Sequence, residues 1–173
     1  MRDVKFICCQ PDDNYYTWQV HMWLESLRNL NLSHKAIVLI FVPNFREQNK
    51  NWQKIINLYP ETQFYFQKDE DNINNLISLY IPIIRPYTLH KYFEKNPQLK
   101  DDAIFYCDSD ILFTDKFNIN EFLNDDICYL SNTNSYINSD YINNKVNDCI
   151  PEKRDQLLQI DVLQSLTSYV GIT

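Results

Sequence analysis

At 173 residues the chain suits one domain with a sizeable core, and a hydrophobic content of 45% places it among globular proteins. A formal net charge of -7 argues against a nucleic-acid-coating surface, which needs clustered Lys and Arg. Its single glycine, Gly171, excludes both a GxGxxG dinucleotide fingerprint and a GxxxxGK(S/T) phosphate loop, so any nucleotide must be held in another way.

Val4 to Cys9 is a short apolar run closed by Gln10, Pro11, Asp12 and Asp13, which predicts a buried strand and a turn. From about Asn14, Val20, Trp23, Leu24, Leu27 and Leu30 recur at helical spacing, with Asp13 or Asn14 as the amino-terminal cap. Ala36 to Val42 is continuously apolar up to Pro43, as in a strand covered on both faces. Trp52, Ile55, Ile56 and Tyr59 mark a second helix stopped at Pro60, and Thr62 to Phe66 a third strand.

Ile73 to Ile84 reads as helical in part, broken by Pro82 and Pro86. Pro86 fits the first turn of a further helix with Leu89, Tyr92 and Phe93 toward the core. A strand ending in Cys107-Asp108-Ser109-Asp110 follows, then another at Asp126 to Leu130, a loop over Ser131 to Asp148, and a last helix over Glu152 to Tyr169. This alternation predicts an α/β fold: a three-layer α/β/α sandwich around a mostly parallel sheet.

No apolar run is long enough to span a bilayer, and the first residues lack the basic start and apolar centre of a signal peptide. The expectation is a cytoplasmic protein with no membrane span. Cys8, Cys9, Cys107, Cys128 and Cys149 form no CxxC pair; the first four, in apolar strand-like segments, read as buried free thiols. His21, His34 and His90 read as helix-surface or packing residues.

The stretch Ala103 to Phe113 carries the chemistry, because Asp108 and Asp110 interrupt an otherwise apolar run. Burying ionised Asp is costly without a compensating partner, and a divalent cation is the simplest one. On an extended strand, residues two apart point the same way, so Asp108 and Asp110 can converge on one hard cation while Ser109 faces elsewhere. Mg²⁺ and Mn²⁺ commonly take one or two carboxylates and complete their shell with water and phosphate oxygens. The competing reading is a solvated turn that merely closes the strand.

Tyr16-Thr17-Trp18-Gln19 opening the first helix, Arg85-Pro86 before the helix that leads into the metal strand, and the FYCDSDILF segment together carry a resemblance. From about Val4 to Ile142 the chain resembles the nucleotide-sugar half of a GT-A glycosyltransferase. It looks most like the peptidyl serine galactosyltransferase and hydroxyproline arabinosyltransferase type. The resemblance implies a single GT-A-like domain over 1–173, and a metal-dependent glycosyltransferase, or its donor-binding portion, that uses a nucleotide diphosphate sugar, a UDP sugar.

It also implies that Cys9, Gln10 and Pro11 meet the base through backbone groups, and that Asp108 and Asp110 hold Mn²⁺ or Mg²⁺. Asp108 and Ser109 would lie near the ribose and diphosphate, and Gln19, with Trp18, would shape the base pocket. Arg85 stands where a cation can approach the phosphates; helix packing is its alternative role, as core and helix-surface roles are for Trp18 and Gln19. Tyr80 and Tyr87 read as core tyrosines ahead of cleft residues. Relatives continue into an acceptor-binding segment with a Gly-containing loop and often a His, whereas here about sixty residues follow Asp110. The expectation is therefore that the sheet is incomplete at its carboxyl end, and that the portion facing a protein or glycan acceptor is missing or reduced.

Two competing functions accompany this reading. A phosphatase of the haloacid dehalogenase type also uses a DxD after a strand, but it needs a downstream Lys and acidic motif, and no GD pair follows here. A catalytically silent nucleotide-sugar or metal-binding module, acting through a partner, is the alternative from a different class.

Overall fold

The structure, a computed structural model, describes residues 3–73, 77 and 81–115. The chain divides into Met1–Asn124 and Asp125–Thr173, and every described residue belongs to the first unit. The elements expected after Asp125, together with Cys128, Cys149 and Tyr80, lie outside the described residues.

Among the described residues four strands form one parallel sheet: β1 (Val4–Pro11), β2 (Ala36–Val42), β3 (Gln63–Lys68) and β4 (Ala103–Tyr106), in the order β3-β2-β1-β4. Helices α1 (Asn14–Asn29), α2 (Trp52–Leu58) and α3 (Ile84–Lys95) connect them. Strand alternation sorts the core into two layers. Val4, Phe6 and Cys8 of β1 and Val38, Ile40 and Val42 of β2 pack with Val20, Trp23, Leu24 and Leu27 of α1 and Trp52 and Ile55 of α2. On the opposite face, Ile7, Cys9, Ile37 and Leu39 pack with Leu89, Tyr92 and Phe93 of α3. The expected α/β class and its helix layers on both faces are therefore observed.

Local signals account for α1. Asp13 is extended (φ -136°, ψ 152°), and its carboxylate accepts from Tyr15 N at 2.9 Å, which caps the helix. At the other end Leu32 N donates to Leu27 O (2.8 Å) and Asn31 N to Arg28 O (2.9 Å), with Asn31 at φ 60°. This is a Schellman closure, and in a chain with one glycine the left-handed position falls to Asn, the next most tolerant residue.

One expectation needs correction. Asp108 and Asp110 do not lie on an extended strand: β4 ends at Tyr106, and Ile111 N donates to Asp108 O (3.3 Å) across a turn. Among the described residues β4 flanks β1 alone, and Ile104, Phe105 and Tyr106 are each 38% exposed, so the apolar run is an edge strand there. Chain reversal, with two carboxylates and a serine as turn formers, outcompetes strand continuation into Ile111–Phe113. The strand-alternation argument for Asp108 and Asp110 accordingly lapses, and any convergence must come from the turn.

Candidate functional site

The chain leaves β1 toward β2 and β3 on one side and returns to lay β4 on the other. In an open parallel sheet such a reversal opens a crevice beyond the carboxyl ends of the two strands, where the first turns of the connecting helices also point. A cleft of about 200 Å³ lies there. Gln10 lines it from the end of β1, Tyr15, Tyr16 and Gln19 from α1, Arg85 from the start of α3, and Asp108, Ser109 and Asp110 from the turn after β4. Enclosed small-molecule pockets measure roughly 300–1,000 Å³. These walls thus form a polar floor for a ligand group rather than a closed chamber.

Strand alternation sorts the expected base-contact residues. Gln10 shares the α1 face of the sheet with Phe6 and Cys8 and is nearly fully buried at the cleft. Cys9 faces α3, where its thiol lies 3.8 Å from Ile84 O and so supports the helical turn that carries Arg85. The side chains of Cys9 and Pro11 are not among the cleft walls. Trp18 is 53% exposed and makes an edge contact with Tyr15, 5.8 Å between ring centres.

The acidic turn is held against one stripe of α1. Cys107 N continues the sheet ladder to Ile7 O (3.0 Å), and its sulfur accepts from the buried Trp23 indole (3.2 Å). Ser109 is buried and donates to Gln19 Oε1 (3.2 Å). Phe113 N donates to Ser26 Oγ (3.2 Å), and its ring packs edge-on against Phe6, 5.5 Å between centres. Gln19, Trp23 and Ser26 are spaced i, i+4 and i+7, which is one face of a helix. Gln19 Nε2 in turn donates to Tyr15 Oη, one turn earlier (3.3 Å). The turn is therefore positioned by side chains whose chemistry lies elsewhere.

Arg85 and Asp108 meet in this cleft. Arg85 Nη2 is 3.1 Å from Asp108 Oδ1, and both side chains are 39% exposed. The carboxylate oxygen itself is buried and has no hydrogen bond, because the guanidinium N–H is not directed at it. The contact is an ion pair by distance without the alignment of a charge-assisted hydrogen bond. Asp110 is exposed at the same turn.

Among the described residues no group of three or more His, Cys, Asp or Glu side chains is placed to enclose a metal. The donor set fits a hard cation held by one or two carboxylates, its remaining shell left to water and phosphate oxygens. Asp108 Oδ1, an acceptor taken out of water with no aligned donor, is the observation that fits such an ion.

None of the described thiols is among the cleft walls. Cys8, Cys9 and Cys107 are free and buried, and burial pushes Cys9 and Cys107 up to about 12 and Cys8 well above its ordinary range. The histidines also stand apart from the cleft walls: His21 Nδ1 is 2.8 Å from Tyr59 Oη, and His90 lies 3.4 Å from Glu94.

Sequence reasoning passed over Tyr15, Trp23 and Ser26. The spacing that joins them to Gln19 was present in the helix pattern, but its contact with a turn some ninety residues away was not. Comparison with protein-family models, with curated proteins and with solved structures returned no match for this chain.

Proposed function

We propose that the chain binds a nucleotide diphosphate sugar, a UDP sugar, together with Mn²⁺ or Mg²⁺, as a glycosyltransferase of GT-A type or as its donor-binding portion. The observation that carries this reading is the meeting of Arg85, Asp108 and Asp110 in a cleft beyond the carboxyl ends of β1 and β4. Two carboxylates there suit a hard cation, and a guanidinium suits phosphate oxygens. When bound, the cation would offset charge developing on the departing diphosphate as a Lewis acid.

Each remaining role falls to a residue of the chain. Asp108 and Asp110 would hold the ion, and Arg85 would contact the diphosphate. Gln10 and Tyr15 offer polar and ring surface beside it, with Gln19 and Ser109 fixing the turn. The acceptor is a protein or glycan hydroxyl.

The test is a transfer assay. The chain is incubated with UDP sugars, Mn²⁺ and serine, hydroxyproline or saccharide acceptors, while UDP release and acceptor mass are followed. Turnover that vanishes in Asp108→Ala supports an enzyme. Tight donor binding without turnover favours the alternative, a silent nucleotide-sugar module that works through a partner. No metal-dependent binding of UDP or its sugars overturns both. No described helix is long and apolar enough to cross a membrane.

A further inference from the structure

We propose that Arg85 is an internal stand-in for the cation, holding Asp108 until a nucleoside diphosphate draws the guanidinium away, so that cation and diphosphate load the site together. This rests on the reading of Asp108 as a metal ligand and Arg85 as a phosphate contact.

The geometry sets up the exchange. Asp108 Oδ1 is buried, and Arg85 Nη2 stands 3.1 Å from it without a directed hydrogen bond. Ser109, the neighbouring hydroxyl, does not satisfy this oxygen, because it donates to Gln19. Arg85 is thus the cation nearest to a desolvated acceptor, yet it is held loosely. Both side chains are 39% exposed, and such ion pairs are weak and exchangeable.

An arginine cannot relieve the conflict with an arriving divalent ion by losing its proton. While Arg85 remains at Asp108, the carboxylate is partly neutralised and a second cation meets repulsion at its own ligand. A diphosphate changes the balance, since it offers the planar guanidinium an aligned, doubly charged partner and leaves Asp108 free. Thermodynamic reciprocity then requires that UDP tighten cation binding by the same factor by which the cation tightens UDP.

The experiment counts free Mn²⁺ by electron paramagnetic resonance during titration of the 173-residue chain, with and without UDP. Arg85→Met keeps the length of the stem and removes the charge. It should bind Mn²⁺ alone about twofold to fivefold more tightly than the natural chain, matching the release of a half-exposed ion pair. In saturating Mn²⁺ it should bind UDP about tenfold or more weakly, as expected for a lost charge-assisted contact. The factor by which UDP tightens Mn²⁺ should fall accordingly.

Unchanged or weaker binding of Mn²⁺ alone to Arg85→Met, with the natural chain still binding UDP through Mn²⁺, overturns the stand-in role and leaves the proposed function intact. No Mn²⁺-dependent UDP binding by the natural chain overturns the proposed function and the stand-in role with it. A second measurement needs no variant to fold. The Nε–H resonance of Arg85 in the natural chain should move when UDP and Mg²⁺ are added together and stay in place with Mg²⁺ alone. A resonance unmoved by both together, or moved fully by Mg²⁺ alone, overturns the exchange.

Discussion

Ser109 Oγ donates to Gln19 Oε1 across 3.2 Å, joining two buried side chains on either wall of the cleft. The bond links the acidic turn to the helix beside it, so the carboxylates at 108 and 110 are placed by a serine between them that has no charge of its own.

Ser109→Ala should destabilise the chain by about 1–2 kcal/mol, because it leaves the Gln19 carbonyl buried without its donor. Gln19→Ala should cost a similar amount. In a urea-denaturation cycle the double variant should fall short of the sum by about 0.5–1.5 kcal/mol. Strict additivity would mean that the two side chains do not sense each other.

Asp12 is the second structural post at this edge. Wholly buried, it accepts from the Trp52 indole at 2.7 Å and from Asn49 N at 3.0 Å, tying the loop after β2 to the end of β1. Asp12→Ala would strand both donors and should lower stability by about 3 kcal/mol or more, whereas Asp12→Asn keeps one acceptor oxygen and should cost less. Equal losses for the two variants in denaturation curves would remove Asp12 from this role.

The buried thiols give the chain an alkaline weakness. Burial raises Cys9 and Cys107 to about 12 from an unfolded value of 9.0, and raises Cys8 well above that unfolded value too. Below 9.0 the folded and unfolded chains are both protonated at these positions. Above it the unfolded chain loses protons that the folded chain keeps, so stability falls as pH rises from 9.0 toward 12. Each such thiol contributes a slope of up to about 1.4 kcal/mol per pH unit in that window. Urea midpoints measured under reducing conditions should hold between pH 7.5 and 8.5 and drop by pH 10. A midpoint unchanged at pH 10 would show that these thiols are hydrated.

The sheet was legible in the sequence because its signals are local. Ala36–Val42 is apolar from end to end, and the capping Asp13 and the helical recurrence from Val20 to Leu27 mark α1 without help from distant residues. Pro86 likewise falls in the first turn of α3 as read from the sequence. The acidic turn was legible in composition but not in shape. Whether Asp108 continues a strand or starts a turn depends on what Cys107, Ser109 and Phe113 find on α1, and those partners lie 84 to 90 residues away. Asp12 misled for the same reason. An aspartate after a strand signals a turn, and only the tertiary approach of Trp52 and Asn49 makes it a buried anchor.

Thermal unfolding with UDP tests most directly the proposal that a cation held by Asp108 and Asp110 joins a nucleoside diphosphate to this cleft. With Mn²⁺ present and UDP at 100 times its dissociation constant, the folded chain should gain about 2.7 kcal/mol. Asp110→Ala should lose most of that gain, and EDTA should abolish it in the natural chain. Equal stabilisation by UDP in EDTA and in Mn²⁺, or full stabilisation of Asp110→Ala, would contradict a metal-bridged site.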